Sequence, residues 1–357
     1  MKKKISSIII LIFAIFSLLI YDINMSHIIY AYKSNSAEIV MELNTNRVVY
    51  AINENDKKFM ASTTKILTAI TIIENCDLND VVIIKKETTG IEGSSIYLEE
   101  GEKLSVLDLL YGLMLRSGND CAEALALHCS GNIKKFAILM NQTAEKIGAK
   151  NSNFVNPHGL HDDNHYTTAY DLALISCYAM KNDMFRKIVG TKSIDIPFTT
   201  RNYNRRLINK NKMLNEFEGS TGIKTGYTKK AGRCLVSSCY RNGIEFICVV
   251  LNCPPMFERS KTLLSSAFDE YHNFKIFESD HIVKFIDIEG VKCGTYVKHD
   301  IILPLTKFEK DNLNFVVEIS EKIKKPIKKG QEVGYLKIYC QNNLLFTEKI
   351  YSILDVK

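Results

Sequence analysis

Residues 62–70 read Ser-Thr-Thr-Lys-Ile-Leu-Thr-Ala-Ile, a polar tetrapeptide running straight into an apolar repeat. Ile66, Leu67, Ile70 and Ile73 recur at helical spacing, so a buried helix is expected from Ser62, the residue in cap-like position. On a helix, residues three apart share a face, which brings the Lys65 amine within reach of the Ser62 hydroxyl. A serine is a poor nucleophile without a base, and a lysine serves when burial and neighbouring cations lower its pKa. A helix N-terminus adds free N–H groups and a dipole that favour a developing oxyanion. This is the only Ser-x-x-Lys in the chain, yet the pattern is short enough to arise by chance and carries weight only in company.

Company is found at two places downstream. Ser117-Gly118-Asn119 falls between helical segments, where a hydroxyl and a carboxamide can both face a cleft; alone, the tripeptide reads as an ordinary helix-breaking turn with an N-cap, and only the other motifs reverse that reading. Lys224-Thr225-Gly226 lies within residues 222–228, ahead of a strand at Arg233. It offers a cation and a hydroxyl for a substrate carboxylate, and a glycine that lets a substrate backbone approach a strand edge.

Around these motifs the hydrophobic period changes twice. Glu38 to Tyr50 alternates about Asn44-Thr45-Asn46 and reads as a β-hairpin. Leu104 to Ile147 is helical, broken at Ser117-Gly118-Asn119 and Ser130-Gly131-Asn132. Strand period returns in Arg233–Tyr240 and Glu245–Cys253, joined by Arg241-Asn242-Gly243 with its Asn-Gly hairpin signature. Ser260 to Tyr271 reads as a closing helix. Short alternating runs at Ile282–Ile286, Asn314–Ile319, Val333–Cys340 and Leu344–Ile350 then indicate a small all-β part.

The 357 residues are 46% hydrophobic and 24% charged with 6 prolines, which excludes a disordered or low-complexity chain and favours two domains. A formal charge of +6 is spread without a basic block, so nucleic-acid binding is not expected. Lys2, Lys3 and Lys4 precede the apolar run Ile8–Ile20, an export signal. Cleavage after Ala31 is the favoured reading, which removes three lysines and Asp22 and leaves +4; retention as an N-terminal membrane anchor is the alternative. The ten cysteines are scattered singly through apolar segments, without a C-x-x-C pair or zinc spacing, and read as core fillers with no metal and no cofactor.

In this setting the chain resembles the low-molecular-mass penicillin-binding proteins that are serine-type D-alanyl-D-alanine carboxypeptidases, from about Ala37 onward. Beyond the three motifs, Ser94-Ser95, Tyr111–Leu115 leading into Ser117–Asp120, Asn156-Pro157-His158-Gly159-Leu160 and Thr168–Ala173 look like that family at fitting intervals. The resemblance implies an α/β (α+β) transpeptidase-like catalytic domain, an antiparallel sheet flanked by helices, followed by a small all-β domain. The expected limits are 1–31 for the signal, 32–276 for the catalytic domain and 277–357 for the C-terminal domain.

Carried over residue by residue, the resemblance implies that Ser62 attacks the D-Ala-D-Ala carbonyl while Lys65 takes its proton, with Ser117 relaying protons. Asn119 would bond the substrate amide, Lys224 and Thr225 its terminal carboxylate, and the N–H groups of Ser62 and Tyr227 would form the oxyanion hole. Gly226 would admit the substrate, Arg259 would stand near the carboxylate, and the His158 loop would shape the cleft. The implied partners are peptidoglycan stem peptides ending in D-Ala-D-Ala, and β-lactams as covalent inhibitors, outside the cytoplasm. Tyr227 stands where some relatives carry His, which bears on substrate preference. No C-terminal amphipathic helix is expected, so membrane attachment would come only from an uncleaved N-terminus. A class A β-lactamase is the nearest rival; against it, Gly118 replaces the Asp of its middle motif and the 156–160 loop has no glutamate. A cross-link endopeptidase and a catalytically idle wall-binding relative complete the alternatives.

Overall fold

The computed structural model describes residues 35–320 and 323–357; the export segment lies outside the described residues. Strands β1 (Ala37–Glu42) and β2 (Val48–Ile52) form the expected hairpin. Its turn is held by the Glu42 carboxylate, which accepts the N–H groups of Asn44 and Thr45 at 3.1 and 2.7 Å. The sheet is completed by β3 (Ser220–Thr228), β4 (Gly232–Arg241) and β5 (Ile244–Leu251), in the antiparallel order β2-β1-β5-β4-β3. The β4–β5 turn places Asn242 at φ 51° and Gly243 at φ 80°, the two positive angles a tight hairpin needs.

Every residue of β5 is buried, because the sheet is covered on both faces. Ile247, Val249 and Leu251 enter one core and Phe246, Cys248 and Val250 the other. The first core holds the helices inserted between β2 and β3. These are α1 (Lys65–Asn75), α2 (Val106–Leu115), α3 (Asn119–Ser130), α4 (Ile133–Ile147), α5 (Ala169–Met180) and α6 (Asp183–Gly190). Helix α1 is enclosed by the others, its first eight residues all buried. A capping box of Ser105 and Asp108 starts α2, and Gly131 and Gly148, both left-handed, end α3 and α4.

On the other face lies α7 (Met256–Glu270). It begins four residues before the Ser260 start read from the sequence, because Pro254-Pro255 closes the preceding turn and Pro255 is its N-cap. Beyond it, His272–Phe277 pairs with Ile301–Leu305. A separate sheet contains β6 (Ile282–Ile288), β7 (Val291–Tyr296), β8 (Leu313–Ile319), β9 (Glu332–Cys340) and β10 (Asn343–Ser352), in the order β6-β7-β10-β9-β8. Ile286, Leu303, Val333, Leu336 and Ile350 form its core. Strands Val291–Tyr296 and Ile301–Leu305 were not expected, since Gly294 and Pro304 sit inside them as breaker signals. Arg47, in the turn after β1, donates to the Pro304 carbonyl at 2.6 Å, pairs with Glu309 and lies over the Tyr271 ring. Eight of the ten cysteines are buried, as core fillers; Cys76 and Cys129 are half-buried.

Candidate active site

Ser62 does not cap the helix. It lies in a 3₁₀ turn, Ala61–Thr64, and α1 starts at Lys65, with no side-chain cap bond at either start. The turn is fixed from several sides. Thr63 Oγ1 donates to the Met60 carbonyl at 2.6 Å and Thr64 Oγ1 to the Ala61 carbonyl at 2.8 Å. The Val155 N–H donates to His165 Nδ1 at 3.1 Å, so the ring proton sits on Nε2 and is given to Thr64 Oγ1 at 2.8 Å.

Burial holds the His165 pKa down at about 3, against an ordinary 6.5. The unfolded chain therefore binds a proton below pH 6.5 that the folded chain refuses until about pH 3. Stability is lost progressively as pH falls through that window, by at most ~5 kcal/mol. Urea unfolding of the wild type between pH 7 and 4 is expected to show this loss, and His165→Gln, less stable at pH 7, is expected to show a shallower decline. Equal pH slopes for the two chains would disprove the assignment.

Lys65 is fully buried and has three partners. Its Nζ donates to Ser62 Oγ at 3.2 Å, Asn119 Oδ1 at 2.7 Å and the His158 carbonyl at 2.7 Å. Two of these partners can only accept. When the amine is neutral they take its two N–H bonds, which turns the lone pair toward Ser62. Burial first, and the Lys224 charge second, hold the Lys65 pKa well below the ordinary lysine range. Lys224 is itself buried, which lowers its pKa to about 7 with help from Lys210. The two amines thus lie close enough to repel.

Ser117 sits at φ 65° between α2 and α3, and its Oγ is buried without a hydrogen-bond partner among the described residues. A buried hydroxyl in that condition is costly unless a ligand or reacting group completes it. Asn119 opens α3; besides accepting from Lys65 it donates through Nδ2 to the Glu92 carbonyl, which leaves one amide hydrogen for a ligand.

Lys224-Thr225-Gly226 lies on the edge strand β3, which leads directly into its neighbour β4. Lys224 and Gly226 pair with Val236 and Cys234 of the helical-side core, so both face Ser62. A Cβ on Gly226 would come within 3.1 Å of the Met60 carbonyl oxygen and the Ser62 nitrogen, so the glycine is what lets β3 press against the nucleophile turn. Thr225 is half-buried, and its partner Leu235 belongs to the opposite core. Tyr227 is exposed, with the Arg233 guanidinium 5.2 Å from its ring centre.

Arg259 corrects the sequence reading. It rises from α7 on the far face, where its guanidinium donates to Glu38 Oε2 at 2.7 and 2.9 Å and to the Tyr50 hydroxyl at 2.6 Å. Its charge is committed to a carboxylate on β1, two strands removed from β3 by way of β5 and β4, and it does not line the cleft.

The cleft has a volume of about 410 Å³ and is lined by Ser62, Ser94, Asn119, His158, Lys210 and Tyr227 among others. Lys210 and the neighbouring Arg116 escaped the sequence reading, because nothing local marks them. Lys210 Nζ donates to Ser94 Oγ at 3.2 Å across the cleft wall. Asp120 was also missed in its role: its carboxylate is buried and accepts Ser95 Oγ and the N–H groups of Ile96 and Leu98, which shapes the wall containing Ser94. Its position directly after Ser117-Gly118-Asn119 was the available signal. The His158 ring accepts the Leu160 N–H at Nδ1 and meets Glu123 Oε1 at 3.2 Å through Nε2, so its side chain braces the loop while its carbonyl serves Lys65.

A serine–lysine pair facing a cleft under an antiparallel sheet edge defines a serine acyl-transfer enzyme of the penicillin-recognising fold. The family profile described as D-alanyl-D-alanine carboxypeptidase matches residues 26–254, and that of the penicillin-binding protein 5 C-terminal domain matches residues 271–357. The chain belongs to the D-alanyl-D-alanine carboxypeptidase family. It is 29% identical over 342 residues to D-alanyl-D-alanine carboxypeptidase DacF of Bacillus subtilis, covering 92% of this chain and 87% of that one. To DacA of Haemophilus influenzae it is 31% identical over 329 residues, covering 83% and 78%. Among solved structures, penicillin binding protein 5 from Haemophilus influenzae aligns with a TM-score of 0.77 at 27% identity, over 89% of this chain and 96% of that one.

Proposed function

We propose that the chain removes the terminal D-alanine from peptidoglycan stem peptides through a Ser62 acyl-enzyme, acting outside the cytoplasm after export. The observation that carries this reading is Lys65: fully buried, held between two acceptor-only groups and 3.2 Å from Ser62 Oγ. Lys65 Nζ takes the Ser62 proton as Oγ attacks the penultimate carbonyl. The tetrahedral intermediate collapses by expelling D-alanine, whose amine receives a proton by way of Ser117 and the lysine pair. Water then attacks the ester, with the same lysine accepting its proton, and Ser62 is restored.

Asn119 orients the substrate amide, Lys224 holds the carboxylate from the helical face of β3, where Thr225 is turned to the opposite face, and the N–H groups of Ser62 and Tyr227 stabilise the oxyanion. In this reading the catalytic part runs from residue 32 to the end of α7, and the small all-β part opens with the strand His272–Phe277, five residues before the 277 expected from the sequence, with residues 1–31 the export signal. β-Lactams enter the same path and stop at the acyl-enzyme. The 156–160 loop has no glutamate, and the Glu123 carboxylate is engaged by the His158 ring at 3.2 Å, which supports slow deacylation over the rapid turnover of a β-lactamase.

The test is D-alanine release from a peptide ending in Lys-D-Ala-D-Ala. One equivalent per peptide is expected from the wild type, and none from Ser62→Ala, which also loses covalent penicillin labelling. A folded wild type that releases nothing would overturn the carboxypeptidase reading, and labelling at a residue other than Ser62 would overturn the assignment of the nucleophile.

A further inference from the structure

The cleft wall at residues 92–98 carries a side chain that no step of the reaction uses. Tyr97 is 81% exposed, more than any other large apolar residue among the described residues, and it lines the cleft together with Ser62, Asn119 and Lys210. Its neighbours are pinned. Ile96 and Leu98 are buried in the helical core, and their N–H groups both donate to Asp120 Oδ2 at 3.1 Å. The Tyr97 N–H donates to Ser95 Oγ at 2.7 Å, and its carbonyl accepts from Arg205, which also pairs with the buried Glu102 at 3.0 Å. Between these anchors Tyr97 stands at φ 61°, a left-handed conformation that costs a bulky side chain free energy. A glycine would hold this backbone at no such cost, and a polar residue would suit the exposure. Neither the turn nor solvent calls for a tyrosine; what it adds is a flat apolar face, rigidly mounted at the edge of the cleft.

The same wall is bonded to the residue that orients the substrate. The Glu92 carbonyl accepts from the Asn119 side chain, and the Ser94 carbonyl accepts the Asn119 N–H at 2.7 Å. The amide that Asn119 orients joins the penultimate D-alanine to the residue before it, so the wall beyond Asn119 runs beside the acyl part of the substrate. The departing D-alanine is small, and most of a cleft of about 410 Å³ is left for that acyl part.

We propose that Tyr97 is a specificity-determining residue whose ring packs on the aliphatic side chain of the residue preceding the two D-alanines, an assignment that rests on the carboxypeptidase function. The lysine of a peptide ending in Lys-D-Ala-D-Ala has the matching chemistry: its methylenes lie along an apolar face while the charged end stays in water. Arg116 and Lys210 line the cleft, and no carboxylate lines it among the described residues, so a substrate ammonium is turned outward. The contact is therefore made by the methylenes and not by a cation over the ring.

The experiment measures D-alanine release from acetyl-Lys-D-Ala-D-Ala and acetyl-Gly-D-Ala-D-Ala by the wild type, Tyr97→Gly and Tyr97→Phe. The wild type is expected to show a KM about tenfold lower for the lysine peptide. Tyr97→Gly, which the backbone angle suits, should raise that KM about tenfold with kcat within about twofold, and leave the glycine peptide unchanged. Tyr97→Phe should keep the wild-type preference. Acylation of Ser62 by 6-aminopenicillanic acid, which has no acyl side chain, should proceed at the wild-type rate in both variants. A Tyr97→Gly chain that loses both peptides and this acylation equally would make Tyr97 a brace of the wall and overturn the proposal, as would an unchanged preference for lysine. Equal KM values for the two peptides in an active wild type would overturn the proposal alone. A wild type that releases D-alanine from neither peptide would overturn the carboxypeptidase function and the proposal with it.

Discussion

Lys65→Met is expected to slow acylation of Ser62 by about 10⁴-fold, measured as the rate of penicillin labelling, while the chain remains folded by circular dichroism. Methionine fills a similar volume but has no lone pair to accept the Ser62 proton, so the loss reports the base and not the packing. Labelling within tenfold of the wild type would remove Lys65 from that role. The same amines set the pH dependence. Lys65 must be neutral to act, and its pKa is lowered by burial and by Lys224, so kcat/KM falls as pH drops through that lowered value. Lys224 must be charged to hold a carboxylate, and its pKa is lowered to about 7, so kcat/KM falls again as pH rises past it in the free enzyme. A bell-shaped profile is expected; a rate that keeps climbing to pH 9 would contradict the Lys224 assignment.

Gly159→Ala is expected to cost about 4 kcal/mol of stability and to lower the thermal midpoint by roughly 10 °C. Gly159 has φ +87°, and a Cβ there would stand 1.9 Å from the Ala61 carbonyl oxygen and 2.8 Å from Thr64 Oγ1. Both are parts of the turn that carries Ser62, and the loop itself carries the His158 carbonyl that Lys65 donates to. The methyl group must therefore push the loop off the nucleophile turn, and acylation should fall along with stability. An alanine variant matching the wild-type midpoint would show that the loop can shift freely.

The parts of this fold that depend on local pattern were legible. The β1–β2 hairpin, the two breaks among α2, α3 and α4, and the Asn242-Gly243 turn each follow from residues near one another in sequence. Ser62 and Lys65 could be singled out as a hydroxyl and an amine three residues apart, and Lys224 as a cation ahead of a strand, but it was the family resemblance that joined them into one site. What failed locally failed for local reasons. Gly294 and Pro304 hid two strands, and a 3₁₀ turn stood where a helix cap was expected.

Tertiary structure decided the rest. Arg259 follows the sheet at a suggestive distance in sequence, yet the face on which α7 packs hands its charge to Glu38 and Tyr50. Lys210 and Arg116, with no motif of their own, reach the cleft because the chain before β3 is bonded to the end of α2: the Lys210 N–H donates to the Leu115 carbonyl at 3.1 Å and Arg116 to the Ile208 carbonyl at 3.3 Å. The lowered pKa of Lys65 is likewise a property of enclosure: eight consecutive buried residues of α1 and a second buried lysine nearby make the ammonium form costly. Sequence by itself determined which groups could react and in what order they lie along the chain. Which of them share a cleft, and in which charge state, was set by burial and by strand pairing between residues far apart, interactions that exist only in the folded chain.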